Sequence, residues 1–146
     1  MDIDAAKARM AGLMREEGLP YGERTMTYNS RLAQELAKWA EGRPGGGKIH
    51  DALFRAYFVD GTNIARVENL VRIAEGAGLP PEAAREALES RLCEAEVDAD
   101  WRRSRELRVT GVPTFVAGSR AVVGAQPYDA LERLVVAAGA KRRGSR

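Results

Sequence analysis

The sequence predicts a mainly helical fold with a single β-hairpin and a closing helix, and the change of apolar period along the chain is what predicts it. Up to Leu107 apolar residues recur every three or four positions. After Thr110 they follow one another in short extended runs, Pro113 to Ala117 and Ala121 to Gly124, parted by Gly118-Ser119. From Pro127 the helical spacing returns with Leu131, Leu134, Val135 and Ala138.

The elements follow in order. Ile3, Ala6, Met10, Leu13 and Met14 predict a helix over about 4–17, capped by Asp2 or Asp4 and stopped by Gly18 and Pro20. Tyr21 to Tyr28 reads as an irregular connector. Asn29-Ser30 offers a cap for a second helix carrying Leu32, Leu36, Trp39 and Ala40, which ends near Gly42. Arg43-Pro44-Gly45-Gly46-Gly47 reads as a flexible loop. The third helix, with Ile49, Leu53, Phe54, Ala56, Tyr57 and Phe58 apolar on more than one side, is expected to be the most buried. Thr62 or Asn63 caps a fourth, closed by Gly76 and Gly78, and Pro80-Pro81-Glu82 opens a fifth, because proline at the first helical position sacrifices no hydrogen bond. Helix continues through Leu88, Leu92 and Cys93 toward Trp101 and Leu107. Lys141 to Arg146 reads as a frayed basic tail.

At 146 residues one domain is the default, and 23 basic against 21 acidic residues leave a net charge of +2. That balance argues against nucleic acid as a partner. Arg102, Arg103, Arg105 and Arg108 follow Asp98 and Asp100 in the order that a helix dipole favours, so the arginine run reads as a helix end. No apolar run is long enough for a membrane span, and Met1 to Asp4 lacks the basic-then-apolar order of a secretory signal, which points to a cytoplasmic protein without a membrane partner.

Candidate chemistry is sparse. Cys93 is the single cysteine, so no intrachain disulfide forms and no Cys-x-x-Cys exists to pass two electrons. Its acidic neighbours Glu89 and Glu94 raise a thiol pKa, and it reads as a packing residue. His50 has no cysteine beside it and reads as a surface or capping residue; Trp39, Trp101, Tyr57 and Phe58 read as core. Asp2 and Asp4 are helix-start acids, and the glycine-rich loop lacks the Gly-Lys-Ser/Thr ending of a phosphate loop. Neither a metal nor a cofactor is expected.

Three segments, Tyr28-Asn29-Ser30-Arg31-Leu32-Ala33, Ala52-Leu53-Phe54-Arg55-Ala56-Tyr57-Phe58 and Gly111-Val112-Pro113-Thr114-Phe115, occur in the order found in the DsbA family of thioredoxin-like proteins, and the chain resembles its FrnE-like branch from Ala11 to Ala138. The resemblance implies one truncated DsbA-like domain over 1–146, with a helical block at 4–108 and the carboxyl-terminal β-β-α half at 109–138. It implies a cis bond at Val112–Pro113, and a substrate-binding segment formed by Gly111, Val112, Pro113 and Thr114, where the main chain of Val112 pairs with an extended peptide or a glutathione-like backbone.

The family's opening strand, Cys-x-x-Cys helix and second strand find no counterpart in this sequence, so no catalytic residue carries over. The resulting expectation is a thiol-disulfide oxidoreductase homologue that is redox-inactive in these residues and takes a peptide or protein thiol as partner. A strand edge left without its neighbour is expected to drive homodimer formation. Two alternatives stand beside it: a non-catalytic peptide-binding or assembly protein that uses the open edge, and a fragment of a glutathione-dependent isomerase.

Overall fold

The computed structural model describes residues 3–23, 25–141 and 143. In chain order these form α1 (Ile3–Glu16), α2 (Arg31–Ala40), a 3-10 turn (Gly46–Lys48), α3 (Ile49–Phe58), α4 (Val67–Gly76), α5 (Pro81–Glu89), α6 (Glu94–Glu106), β1 (Thr114–Ala117), β2 (Arg120–Val123) and α7 (Tyr128–Ala137). The protein is thus mainly helical with one antiparallel hairpin. The Asp2 cap lies outside the described residues, as do Arg142 and residues 144–146 of the basic tail.

The chain divides into two compact units between Asp98 and Ala99. In the first, α2 lies against α3, α4 and α5. Leu36, Ile49, Leu70 and Leu88 are its fully buried anchors, with Trp39, Val71 and Leu79 packed around them. The most buried helix is α2 rather than the expected α3: α2 buries six residues, and α3 buries Ile49, Leu53 and Ala56 while Phe54 turns 61% of its surface to solvent. Alanines 33, 37 and 40 let neighbouring backbones approach α2 closely, whereas the aromatics of α3 are too bulky to be enclosed on every side.

Several expected ends move by a few residues, each for a visible reason. Asn29 begins α2 by accepting the Arg31 amide at 2.8 Å, and the cap position itself is Ser30. Asn63 organises the turn ahead of α4, accepting the Ala65 amide, but α4 starts later, after Arg66. The glycine loop is a packed turn: Gly46 is buried, and a Cβ there would lie 1.9 Å from the Ala40 carbonyl oxygen. Helix does not run through Cys93. The chain breaks at Ser90–Cys93 between α5 and α6, where Arg91 takes a left-handed φ of 56°.

In the second unit β1 pairs with β2 through Thr114↔Val123, Phe115↔Val122, Val116↔Ala121 and Ala117↔Arg120, and Gly118-Ser119 makes the two-residue turn. Gly118, at φ 61°, supplies the positive dihedral that such a turn needs. Both strands contact α7. Leu134 is the one fully enclosed apolar side chain of α7.

Candidate functional site

The Gly111–Thr114 segment is a tied loop, and β2 does the tying. The Thr114 hydroxyl donates to the Gly111 carbonyl at 2.6 Å, drawing the two ends of the segment together. The Gly124 amide donates to the Pro113 carbonyl at 2.7 Å, and the Gln126 side-chain amide donates to the Val123 carbonyl at 2.8 Å. Gly111 lies so close to Val123 that a Cβ would stand 3.2 Å from its Cγ1. The Val112–Pro113 peptide bond is cis.

These ties leave Val112 outside. It is 89% exposed, and neither its amide nor its carbonyl has a hydrogen-bond partner among the described residues. In an antiparallel ladder successive residues turn their main-chain groups alternately toward and away from the partner strand. Because Pro113 bonds toward β2, Thr114 and Val116 turn their N–H and C=O groups the other way. No strand of the described residues lies on that side, since the sheet is β1 and β2 alone. Val112, Thr114 and Val116 together therefore offer a row of unpaired donors and acceptors. Proline, which lacks an N–H, falls on the inward side and does not interrupt the row.

The second unit also exposes several large apolar side chains. Phe115, Val116 and Val123 on the hairpin and Tyr128, Val135 and Val136 on α7 are all exposed. All four residues of the sequence-predicted segment thus meet in one loop.

Cys93 and His50, the two side chains weighed for chemistry in the sequence, lie in the first unit and behave as structural groups. Cys93 is buried in the turn after α5, and desolvation, reinforced by Glu96, pushes its thiol up to about 11. Such a thiol is a poor nucleophile at neutral pH. His50 is exposed on α3; Trp39 is core, with Arg43 stacked 4.5 Å from its ring, but Trp101, expected in the core, is 45% exposed.

Sequence reasoning missed Glu35, a carboxylate 2% exposed. It accepts from Arg91 Nε at 2.8 Å and Nη2 at 2.6 Å, and from Arg31 Nε at 2.9 Å. Hydrogen bonding from Arg91, then from Arg31, holds its pKa below the usual range against desolvation. Arg31 also reaches Asp98 at 2.6 Å and the Glu94 carbonyl at 3.0 Å, so the cluster fastens the start of α6 to α2. One signal was available: Glu35 stands three residues after Leu32 and four before Trp39, an acid on an apolar stripe. Its partner, 56 positions away, left none.

Comparison with known proteins adds the following. A family model described as DSBA-like thioredoxin domain matches residues 2–136. The uncharacterized protein YwbO of Bacillus subtilis (strain 168) is 30% identical over 105 residues, which are 71% of this chain and 52% of that protein. The solved structure of a 2-hydroxychromene-2-carboxylate isomerase superposes with a TM-score of 0.76 at 23% identity, over 94% of this chain and 66% of that one. The chain therefore spans about half the length of its curated relative. The isomerase likeness speaks to fold alone.

Proposed function

Because the chain belongs to the DSBA-like thioredoxin domain family, we propose that residues 1–146 hold the client in thiol–disulfide exchange and perform no dithiol chemistry of their own. The observation that carries this reading is Val112, exposed with both main-chain groups unpaired at the open edge of β1. A client in extended form pairs with that edge by strand addition, while the exposed side chains of Phe115 and Val116 on β1 meet its own. The chemical half of the proposal rests on one cysteine, buried and held protonated.

Reduction of insulin by dithiothreitol, followed as turbidity, tests the second half. No acceleration above the uncatalysed rate is expected. Acceleration contradicts the proposal, and its survival in Cys93→Ala would remove Cys93 from suspicion as its source. Anisotropy of a labelled extended peptide tests the first half. Val112→Pro, which deletes the amide N–H, is expected to abolish binding, and Val112→Ala, which keeps both main-chain groups, to preserve it. Equal binding by both variants would overturn the role given to the edge.

A second reading has the same edge in its favour: an assembly protein whose β1 or helical faces pack on another copy. We include a homodimer in the proposal on that ground, together with a reducing, cytoplasmic setting that suits an unpaired cysteine. A role in a glutathione-dependent isomerase is distinguished by glutathione affinity, which this reading does not require. No helix of the described residues is long and apolar enough to cross a membrane.

A further inference from the structure

We propose that residues 90–98, the turn after α5 and the start of α6, form a flap held shut by charge, which acid opens while the core of α2 to α5 stays folded, and that this flap governs access to Cys93.

Apolar packing holds the start of α6 only lightly. Val97 is the one buried residue of that helix, and it stands outside the shared core of the first unit. What ties the flap down is ionic. Arg31 on α2 donates to the Asp98 carboxylate at 2.6 Å and to the Glu94 carbonyl at 3.0 Å, partners 67 and 63 positions away. Arg91 is anchored to Glu35 by two hydrogen bonds and lies 3.3 Å from the Glu94 carboxylate. Two guanidinium groups thus face three carboxylates, of which Glu35 is buried and Glu94 and Asp98 are exposed.

Backbone strain points the same way. Arg91 takes a left-handed φ of 56°, which a residue with a Cβ adopts at a cost, and its bonds to Glu35 offset that cost. With Glu35 neutral, the two guanidinium groups confront each other without the charge that drew them together, and the strained turn loses its anchor. A cavity of about 430 Å³, lined in part by Arg31, Leu32, Glu89 and Arg91, brings solvent to the outer side of the cluster, so a proton reaches it without global unfolding.

The charged groups around the flap come from three places. Arg31 belongs to α2, Arg91 to the turn, and Glu94 and Asp98 to α6; Glu89, at the end of α5, pairs with Arg85. Neither α3 nor α4 sends a hydrogen bond or an ion pair to Glu35 among the described residues. The Cys93 thiol feels Glu96 of the flap and, with opposite sign, Arg43. Hydrogen bonding from Arg91 holds Glu35 below the usual carboxylate range, so its hold on the flap is complete above that range and is lost as pH falls through the folded value.

Cys93 reports the opening. It is buried between the two anchors, two residues after Arg91 and one before Glu94, and it reaches solvent when the flap lifts or when the whole unit unfolds. Elements attached by few buried contacts open locally at a smaller cost than global unfolding.

The reaction of Cys93 with dithiodipyridine, a disulfide reagent that takes thiols in acid as well as at neutral pH, separates the two routes when the methyl NMR signals of Leu36 and Leu70 follow the core in parallel. At neutral pH the folded chain is expected to react at least about a hundredfold more slowly than the chain in urea. As the pH is stepped beneath the ordinary carboxylate range, that protection should fall at least about tenfold before the core signals are lost. Asp98→Asn, which removes an exposed charge from the latch, should speed the reaction about tenfold at neutral pH with the core signals intact. Asp129→Asn, which breaks an exposed ion pair in the other unit, should leave the rate unchanged. In the unaltered chain the rate should hardly respond to urea below the unfolding transition, because a local opening exposes little surface. A Cys93 rate that follows the loss of the core at every pH and urea concentration overturns the proposal, and so does an Asp98→Asn rate equal to that of the unaltered chain.

Discussion

Two arginines occupy the same backbone position in different helices, and they expose how one side chain decides whether strain is compensated. Arg91 follows α5 and Arg108 follows α6, each at φ 56°. At both ends the carbonyls are satisfied in the same way: Arg91 donates to Leu88 and Leu92 to Ala87, Arg108 donates to Arg105 and Val109 to Ser104. After α4, Gly78 occupies the equivalent position at φ 87° and needs no compensation. Arg91 offsets its cost by binding buried Glu35 through two hydrogen bonds, and Arg108 has no such partner among the described residues. Arg108→Gly is therefore expected to raise stability by about 0.5–1 kcal/mol, and Arg91→Gly to lower it, in urea unfolding followed by circular dichroism. Equal effects of the two changes would contradict this assignment. Glu35→Gln should destabilise by about 3 kcal/mol, the low end for a broken buried pair, because Arg31 and Arg91 keep some solvent. Because the folded-state pKa of Glu35 is depressed, its contribution is fully present above the ordinary carboxylate range and disappears as pH falls through the folded value. The gap between wild type and Glu35→Gln should accordingly narrow in acid unfolding once the pH drops beneath the ordinary carboxylate range.

At the scale of elements, close backbone approach at Gly46 joins the side-chain core in fixing the first unit. Gly46→Ala would set a Cβ against the Ala40 carbonyl, main chain on main chain, with no flexible group to move aside. A loss of about 2 kcal/mol or more is expected in thermal unfolding, against less than about 0.5 kcal/mol for Gly47→Ala, which meets open space. A similar cost for both would show the turn to be loose. The helices were legible in sequence because their apolar period is regular, and the hairpin because Gly118-Ser119 separates two extended runs. What sequence concealed depended on distant partners. An arginine in place of glycine after α5 hid the break at Ser90–Cys93, since its compensation comes from Glu35. Phe54 and Trp101 carry core chemistry yet lie exposed, a matter of neighbours that periodicity does not report. Gly111 to Thr114 was legible as a segment, and only the pairing of Pro113 with Gly124 shows which main-chain groups face outward.

For the molecule as a whole, the two units contrast in what they enclose. The first builds a shared core across α2 to α5. The second leaves Val112, Phe115, Val116, Val123, Tyr128, Val135 and Val136 exposed around a two-stranded sheet, an arrangement that is marginal unless something covers it. Sedimentation at micromolar concentration is expected to show two chains per particle; a single chain at every concentration would contradict the homodimer. Cys93 should resist iodoacetamide at pH 8 and react readily in urea, because it is buried with its thiol pushed up to about 11. Rapid alkylation of the folded chain would contradict that burial. The central claim is that Val112, Thr114 and Val116 form the client-holding edge. Its most direct test is a backbone amide NMR titration of the full chain with an extended valine-rich peptide. The account predicts that the amides of these three residues shift and become protected from exchange with solvent, with contacts to the peptide backbone along the same row. Shifts confined to residues 1–98, with this row unchanged, would contradict it.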